Sequence, residues 1–339
     1  MSKKENLSRR EFLRALGLTS ASIYLTGCAP KVVEKLVTPV PNTAIPTSIP
    51  EITKPGPEET TPTQTAQPTY GDVYLSVVHG ESPAEMTMRA VAAIGGIEQF
   101  ISNGDNVIIK PNICTDYYPS EYAATTNPEV VAALVQLSLG AGAKRVRVMD
   151  NPFGGTALSA YKKSGIEEAV TRVGGEMEVM NSNKFRKNPI PNGVDIKEWP
   201  FYQDILDADV VINVPIAKHH GTTRLTLGCK NMLGTIQNRG QIHANIYQRI
   251  ADLTSRVRPA LTVVDGFRTL MANGPTGGNL NDVKLSQTII ASADIVAADS
   301  QAATLFGLSG ADIGYIPLAS GMGLGTMDLN AIKIEEFSA

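Results

Sequence analysis

The chain has 339 residues, of which 42% are hydrophobic and 19% charged, and its formal net charge is −3. A mildly acidic chain lacks the basic surface that nucleic-acid binding requires, so we expect no nucleic-acid partner. The three cysteines form no C-x-x-C pair, so we expect no iron–sulfur cluster in this chain.

Residues 1–27 have the pattern of a twin-arginine lipoprotein signal peptide. Residues 8–14, SRREFLR, follow the export pattern S-R-R-x-F-L-K with arginine in the last position. The apolar run that follows is too short to span a bilayer about 30 Å thick. It ends in LTGC, which resembles the lipobox at which Cys28 becomes lipidated. The pattern predicts two partners, the twin-arginine translocase during export and a lipid bilayer through Cys28. The predicted location is the extracytoplasmic face of a bacterial cell membrane.

Residues 28–69 are predicted to be the lipidated cysteine and a disordered linker. Eight prolines and nine threonines occupy 17 of the 32 positions from 38 to 69. This composition cannot bury enough apolar surface to form a core. Prolines favour an extended chain of about 3 Å per residue, so the linker is predicted to be a stalk with a reach of up to roughly 100 Å.

Residues 70–339 are predicted to form a single α/β domain, a largely parallel sheet with helices on both faces, because β-rich runs alternate with helical patterns. The predicted strands cover residues 73–78, 106–110, 145–149, 210–214, 261–264 and 288–291. The predicted helices cover residues 83–100, 128–139, 164–173, 246–256 and 294–306.

Polar residues follow four of these strands. They lie in the segments Lys110-Pro111-Asn112, Asp150-Asn151, residues 215–220 (PIAKHH) and Asp265-Gly266. Ligands of open α/β sheets bind outside the carboxyl ends of the strands, so the four segments are predicted to share one ligand site. For Asp150 and Asp265 an ordinary helix cap or Asx-turn is an equally good interpretation.

Lysine and histidine in these segments suggest acid–base chemistry on an anion. Lys218, Lys230 and Lys110 are candidate ammonium donors to a carboxylate or phosphate, and one of them could be a desolvated base. For Lys110 a solvated loop lysine is also a good interpretation. His220 is a candidate general acid or base, since its ordinary pKa is close to neutral.

A metal site is a further hypothesis, with His219, His220 and His243 as candidate ligands. In an extended backbone His219 and His220 face opposite ways, whereas in a loop both could bind one metal, with His243 or Asp265 completing the set. His243 precedes the helix predicted at 246, where an anion is also favoured, and a surface or capping histidine is the alternative. The remaining cysteines, 114 and 229, could be ligands, a disulfide or buried hydrophobes.

The chain resembles a lipoprotein branch of the domain-of-unknown-function 362 family. The resemblance is carried by residues 109–112 (IKPN), 125–128 (TTNP), 211–220 (VINVPIAKHH), 225–234 (LTLGCKNMLG) and 261–266 (LTVVDG). It implies one shared site made of Lys218, His220, Lys230, Asn231 and Asp265. It implies no reaction. Some relatives carry a ferredoxin-like cluster segment, whose cysteines this chain lacks.

The leading hypothesis is an exported, lipid-anchored enzyme that acts on a small anionic substrate or cofactor. His220 would move a proton, Lys218 and Lys230 would hold oxygens, and Asp265 would orient a base. Lys110, Asp150 and His243 would contact the ligand, to which Asn112 and Asn231 would add hydrogen bonds. The twin-arginine pattern implies export in the folded state, so a metal ion or organic cofactor loaded before export is a further hypothesis. The alternatives are a solute- or metal-binding lipoprotein without catalysis, and a structural surface protein.

Overall fold

The computed structural model of the protein describes residues 74–339, in which the strands of one large sheet alternate with helices. The predicted signal peptide, Cys28 and the predicted linker lie outside the described residues. All described residues belong to one compact unit.

The strands include the six that were predicted and six more. Their bounds are β1 Leu75–His79, β2 Asn106–Pro111, β3 Arg145–Val148, β4 Glu176–Met177, β5 Phe185–Pro189, β6 Glu198–Tyr202, β7 Val210–Val214, β8 Ile216–His220, β9 Arg224–Thr226, β10 Leu261–Leu270, β11 Val283–Ser292 and β12 Ile334–Ser338.

The α-helices include the five that were predicted. Their bounds are α1 Pro83–Ala93, α2 Pro128–Gly140, α3 Ala157–Lys163, α4 Ile166–Arg172, α5 Gln203–Asp207, α6 Gly228–Asn231, α7 Ile246–Val257, α8 Ile295–Ala303 and α9 Tyr315–Gly321. Within this part of the chain, none of the helices combines the length and the apolar character needed to cross a bilayer.

The sheet is mostly parallel, as predicted. Its strand order is β12-β1-β11-β10-β7-β2-β3-β4, and β11 runs antiparallel to both of its neighbours. The chain moves outward from β2 to β3 and β4, then crosses back to β7 on the other side of β2. This reversal makes a topological switch point between β2 and β7, and the crevice at the carboxyl ends of two such strands is where open sheets bind ligands.

Helices cover both faces of the sheet. Val107 and Ile109 of β2 enter a core with α1 to α4, whereas Ile108 between them lies in a separate cluster on the opposite face. Val263 and Val264 of β10 also face opposite sides of the sheet. Val263 packs in the core with α1 to α4, and Val264 packs in the core with α7 to α9. Continuous apolar runs in the central strands follow from this arrangement, because both sides of each strand are buried.

The first predicted helix is shorter than expected. It begins at Pro83, where Ser82 Oγ accepts a hydrogen bond from the Glu85 amide. It ends at Ala93 because Gly95 and Gly96 adopt φ of 104° and 88°, the left-handed region that terminates helices. A short 3₁₀ turn accounts for the apolar residues that extended the predicted pattern to residue 100.

The segment after β7 is a strand, where sequence reasoning expected a polar cluster. The chain passes Pro215 and continues as β8, which pairs with β10 and with β9. β8 can form because β10 has ten residues and so extends beyond the carboxyl end of β7. The β8–β9 hairpin therefore extends past the switch point along one side of it.

Candidate functional site

A cavity of about 340 Å³ lies at the carboxyl ends of β2 and β3, against the β8–β9 hairpin. Three of the four predicted polar segments contribute to it. The predicted site residues that line it are Lys110, Asn112, Asp150, Lys218, His220, Lys230, Asn231 and His243. The topology explains part of this convergence, because Lys110, Asn112 and Asp150 lie at the carboxyl ends of β2 and β3, next to the switch point.

Lys110 forms the floor of the cavity and is 1% exposed. Its Nζ lies 2.8 Å from Asp150 Oδ1, and it donates to Asn231 Oδ1 at 3.0 Å and to the Pro111 carbonyl at 2.9 Å. Burial lowers the pKa of Lys110, and the Asp150 carboxylate opposes that effect. Lys110 is thus a partnered buried lysine, and the alternative of a solvated loop lysine is wrong.

Asn231 links Lys110 at the floor of the cavity to Asn112 and Asn213 by side-chain hydrogen bonds. Its Oδ1 accepts from Lys110 and from Asn112 Nδ2, both at 3.0 Å. Its Nδ2 donates to Asn213 Oδ1 at 2.8 Å and to the Lys110 carbonyl at 3.2 Å. Because both ends of the amide are used, the orientation of the Asn231 side chain is fixed, and Asn231 itself positions the lysine.

β8 presents alternate side chains to the cavity. Lys218 and His220 line it, whereas His219 faces away and accepts the Gly274 amide at Nδ1, 3.1 Å. Lys218 is 1% exposed and donates to Asn112 Oδ1 at 3.0 Å and to the Ala124 carbonyl at 2.6 Å. This follows from the two-residue period of a strand.

His220 is held as a neutral imidazole with its proton on Nε2. Its Nδ1 accepts the backbone amides of Thr222 at 3.1 Å and Thr223 at 3.4 Å. Amide N–H groups can only donate, so Nδ1 carries the lone pair and Nε2 the hydrogen. Burial, followed by the charges of Lys230 and Lys218, lowers the pKa of His220 to about 3. His220 therefore offers a hydrogen-bond donor at neutral pH.

Lys230 differs from the other two lysines because it has no partner in the part of the chain that the structure describes. It lines the cavity, is mostly buried, and makes neither a hydrogen bond nor an ion pair with another residue in 74–339. Burial, and then the charge of Lys218, lowers the pKa of Lys230 to about 7. A substantial fraction of this side chain is thus a neutral amine at physiological pH.

Arg239 completes the cationic lining and was missed by sequence reasoning. Its Nη1 donates to the Asn151 carbonyl at 2.7 Å and its Nη2 to the Pro152 carbonyl at 3.1 Å. Its position four residues before His243, in a segment already singled out, was the available signal. His243 lines the cavity but is exposed, with Nδ1 3.2 Å from the Gly240 carbonyl.

The charges in the cavity do not balance. Lys110 is paired with Asp150. In contrast, Lys218, Lys230 and Arg239 form no ion pair with any carboxylate among the residues that the structure describes. Positive charges that are removed from water without a counter-ion are costly, so the cavity is electrostatically suited to an anion.

Asp265 lies outside the cavity lining, and it is inside β10 and not after the end of a strand as predicted, because β10 continues to Leu270. Its carboxylate accepts the amides of Asn127 at 2.7 Å and Phe267 at 3.0 Å. Burial raises the pKa of Asp265 to about 6, and the two amides oppose that effect. Its contacts are those of a buried group that holds the loop before α2, so the structure does not bring it to the predicted ligand.

Asp299 of α8 is a supporting residue that sequence reasoning did not find. Its two oxygens accept the amides of Gly228 at 2.5 Å and Cys229 at 2.9 Å, at the start of α6. Burial raises the pKa of Asp299 to about 7. Because α6 carries Lys230 and Asn231, this carboxyl group positions both of them from behind the cavity.

The candidate metal ligands do not form a recognisable metal set. His220 and His243 share the cavity and His219 faces away from it. Within residues 74–339, no three histidine, cysteine, aspartate or glutamate side chains lie close enough together to hold an ion. Cys114 and Cys229 are both buried with free thiols, so they form no disulfide with each other.

The chain belongs to the family described as "Domain of unknown function (DUF362)", whose profile matches residues 107–304. That match covers β2 to α8 and contains the residues of the cavity. The family description states no activity.

One relative is the thylakoid-associated protein sll1697 of Synechocystis sp., 28% identical over 222 residues. The match covers 61% of this chain and 64% of that protein, less than two thirds of its length. Among solved structures, the lactate racemase apoprotein of Thermoanaerobacterium thermosaccharolyticum is similar with a TM-score of 0.43 and 12% identity, over 66% of this chain and 54% of that one. A Thermotoga maritima protein is similar with a TM-score of 0.35 and 12% identity, over 67% of this chain and 60% of that one.

Proposed function

We propose that this protein is an enzyme that acts on a small anionic substrate or cofactor in the cavity at the switch point. The observation that carries the proposal is the convergence of Lys218, Lys230 and Arg239, three cations without a carboxylate partner among the described residues, on one largely buried space. A ligand carboxylate or phosphate would supply the missing negative charge.

The roles of the residues follow from their partners. Lys218 and Arg239 hold the anion, because both line the cavity and neither forms an ion pair with a carboxylate among the described residues. His220 donates from Nε2 to a ligand oxygen, and with a pKa of about 3 it does not act as the base. Lys230, with a pKa of about 7, is the group that accepts and returns a proton at neutral pH.

The alternative is a lipoprotein that binds a solute without catalysis. The same cations support it, and the preformed hydrogen-bond network of Lys110, Asn112 and Asn231 suits a rigid binding site. A substitution of His220 distinguishes an enzyme from a binding protein. In an enzyme, His220→Ala removes a donor to the reacting oxygen and lowers turnover by about 10²-fold or more while the ligand still binds. A binder shows no turnover before or after the change.

Anion binding can be measured by titration calorimetry of the full chain with phosphate, oxalate and glycolate. At least one of them is expected to bind, and Lys218→Met and Arg239→Met should each weaken that binding by roughly 10- to 150-fold, since a hydrogen bond to a charged group contributes about 1.5–3 kcal/mol. Lys162→Met, at an exposed helical lysine, is the matched control and should leave the affinity unchanged. Equal losses in all three variants, or no binding of any anion, would contradict the proposal.

We also propose that the protein acts at the extracytoplasmic face of a bacterial membrane, anchored through Cys28. The twin-arginine pattern at residues 8–14 and the lipobox before Cys28 support this location. The relative from Synechocystis is named a thylakoid-associated protein, which is consistent with a membrane association in this family.

A further inference from the structure

We propose that Lys230 is a nucleophilic amine that forms an imine with a small carbonyl compound carrying a carboxylate or phosphate. This inference rests on the proposed function, because it takes the same anion-binding cavity and adds the chemical class of the substrate. It assigns the neutral amine of Lys230 to bond formation in place of proton transfer. The observations behind it are the absence of a partner for Lys230 among the described residues, the acceptors already bound by Lys110 and Lys218, and unused hydrogen-bonding groups in the cavity lining.

The three lysines of the cavity differ in how many of their N–H groups are already used. Lys110 contacts three acceptors, Asp150, Asn231 and the Pro111 carbonyl. Lys218 donates to Asn112 Oδ1 and the Ala124 carbonyl. A side chain whose N–H groups are donated to fixed acceptors is held in one orientation and is poorly placed to attack a carbonyl carbon. Those two lysines are therefore binding groups and not nucleophiles.

Lys230 has the opposite environment. No acceptor within residues 74–339 is hydrogen-bonded to its Nζ, and the neighbouring charges of Lys218 and Arg239 have the same sign. Burial and like charge both favour the neutral amine, which is the form that attacks a carbonyl carbon. The Lys230 side chain also faces the cavity, so a substrate can reach it.

Two groups beside Lys230 have unused hydrogen-bonding capacity toward a carbonyl oxygen. Among the described residues only Nδ1 of His220 is engaged in hydrogen bonds, so its Nε2–H can donate to a ligand. Thr226 on β9 is 3% exposed and lines the cavity, and its Oγ1 makes no hydrogen bond with another described residue. A buried hydroxyl without a partner is costly, so Thr226 is suited to a ligand oxygen.

The step balances without any oxidant or reductant. The Nζ of Lys230 forms a bond to the carbonyl carbon and the carbonyl π bond breaks, giving a carbinolamine. The carbinolamine oxygen then leaves as water with two protons that the amine carried, and a C=N bond remains. His220 and Thr226 hold the oxygen during the addition, while Lys218 and Arg239 hold the anionic group of the substrate.

The inference can be tested by trapping the imine in the full chain at pH 7 with sodium cyanoborohydride. Glyoxylate and glycolaldehyde phosphate are the anionic probes, and acetaldehyde is the uncharged control. Peptide mapping compares labelling of Lys230 with labelling of Lys163, an exposed lysine on α3. Because an exposed lysine has an ordinary pKa of about 10.4, Lys230 should be labelled at least about tenfold faster by an anionic probe. Lys230→Arg should abolish that label, and Lys163→Arg should not.

The outcomes separate this inference from the proposed function. Fast labelling of Lys230 by either anionic probe, with slow labelling by acetaldehyde, supports the inference and tells whether carboxylate or phosphate is preferred. Equal rates at Lys230 and Lys163, or equal rates for charged and uncharged probes, overturn it. If Lys230 is not labelled but glycolate or phosphate still binds in calorimetry, imine chemistry is wrong while anion binding stands. If neither occurs, both proposals fail.

Discussion

At the scale of single residues, the cavity shows how partners decide what a side chain does. Lys110 and Lys218 are both 1% exposed and both are held by several acceptors, whereas Lys230 has none among the described residues. The residue type is the same in all three places. The acceptors hold Lys110 and Lys218 in place, whereas burial and like charge lower the pKa of Lys230 to about 7.

His220 should remain a neutral imidazole protonated at Nε2 throughout the range from pH 5 to 8. Its folded pKa of about 3 is below the ordinary value of 6.5, because burial and the nearby lysines disfavour the charged ring. Nitrogen-15 NMR of the histidine side chains should therefore show no titration of His220 between pH 8 and 5. A His220 midpoint near 6.5 would show that the backbone amides do not hold the neutral tautomer.

At the scale of elements, the site depends on the placement of α6, a single turn of helix. It carries Lys230 and Asn231, and it is held between the carboxyl group of Asp299 and the floor of the cavity. The following residues pack just as closely, since a methyl group added at Gly234 would collide with Asp150 and Lys110. Two close approaches of the backbone thus set the position of the functional side chains.

Asp299→Ala should destabilise the protein and weaken anion binding together. The change leaves the buried amides of Gly228 and Cys229 without an acceptor, at about 1–3 kcal/mol each, and releases the start of α6. Denaturant unfolding and calorimetry measure the two effects. Asp299→Asn retains one acceptor oxygen, so it should lose less stability and less anion affinity than Asp299→Ala.

The contribution of Asp299 to the free energy of unfolding should decrease as the pH rises. Its folded pKa, raised to about 7, lies above the ordinary value of 3.8, so the folded state holds the proton more tightly. The contribution to stability is complete below pH 3.8 and is lost as the pH rises through 7. The stability of the native protein relative to Asp299→Asn should therefore fall from pH 4 to pH 7 and level off above it. A difference that rises over this range would be inconsistent with a raised pKa.

Gly234→Ala should disrupt the floor of the cavity. The added methyl group must displace the paired Lys110 and Asp150 side chains, and overpacking of a buried site costs about 1–3 kcal/mol. Gly140→Ala, at the end of α2 with nothing within 4 Å of the added carbon, is the matched control and should be neutral or slightly stabilising. Urea unfolding of both variants measures the difference. Equal stabilities would contradict the close packing at Gly234.

At the scale of the whole molecule, the site is a consequence of topology. The chain reverses direction across the sheet between β2 and β7, and the long β10 supports the β8–β9 hairpin beyond that point. Residues more than a hundred positions apart, such as Lys110 and Asn231, then meet in one cavity. All residues of the cavity belong to the domain. The predicted export and membrane anchoring depend instead on the segment before residue 70.

Cys28→Ser should release the protein from the membrane without changing its fold. The proposed anchor consists of acyl chains on Cys28, each of which stabilises the bound state by about 0.8 kcal/mol per buried methylene. After expression in a bacterium with a twin-arginine pathway, cell fractionation should move the variant from the membrane to the soluble fraction. Replacing Arg9 and Arg10 together by lysine should instead retain the protein in the cytoplasm. A Cys28→Ser variant that stays in the membrane fraction would refute the anchor.

Sequence reasoning reached the architecture and most members of the site. The continuous apolar runs at 107–109 and 210–212 indicated buried parallel strands, and the polar residues after them indicated the edge at which the cavity lies. It could not separate Asp150 from Asp265, since both were predicted to follow a strand, although Asp265 lies within β10. Asp150 lines the cavity beside Lys110, while Asp265 accepts amides outside it, a difference set by neighbours distant in the chain.

What the sequence by itself determined is local: the alternation of strands and helices, the family segments, and an export pattern readable from adjacent residues. What only the tertiary structure decided is which groups are paired. The environments of four residues depend on contacts across the fold. They are Lys230 without a partner among the described residues, His220 as a donor, Arg239 in the lining and Asp299 behind α6. The physical reason is that burial and partners determine a protonation state, and both come from residues that the chain brings together only on folding.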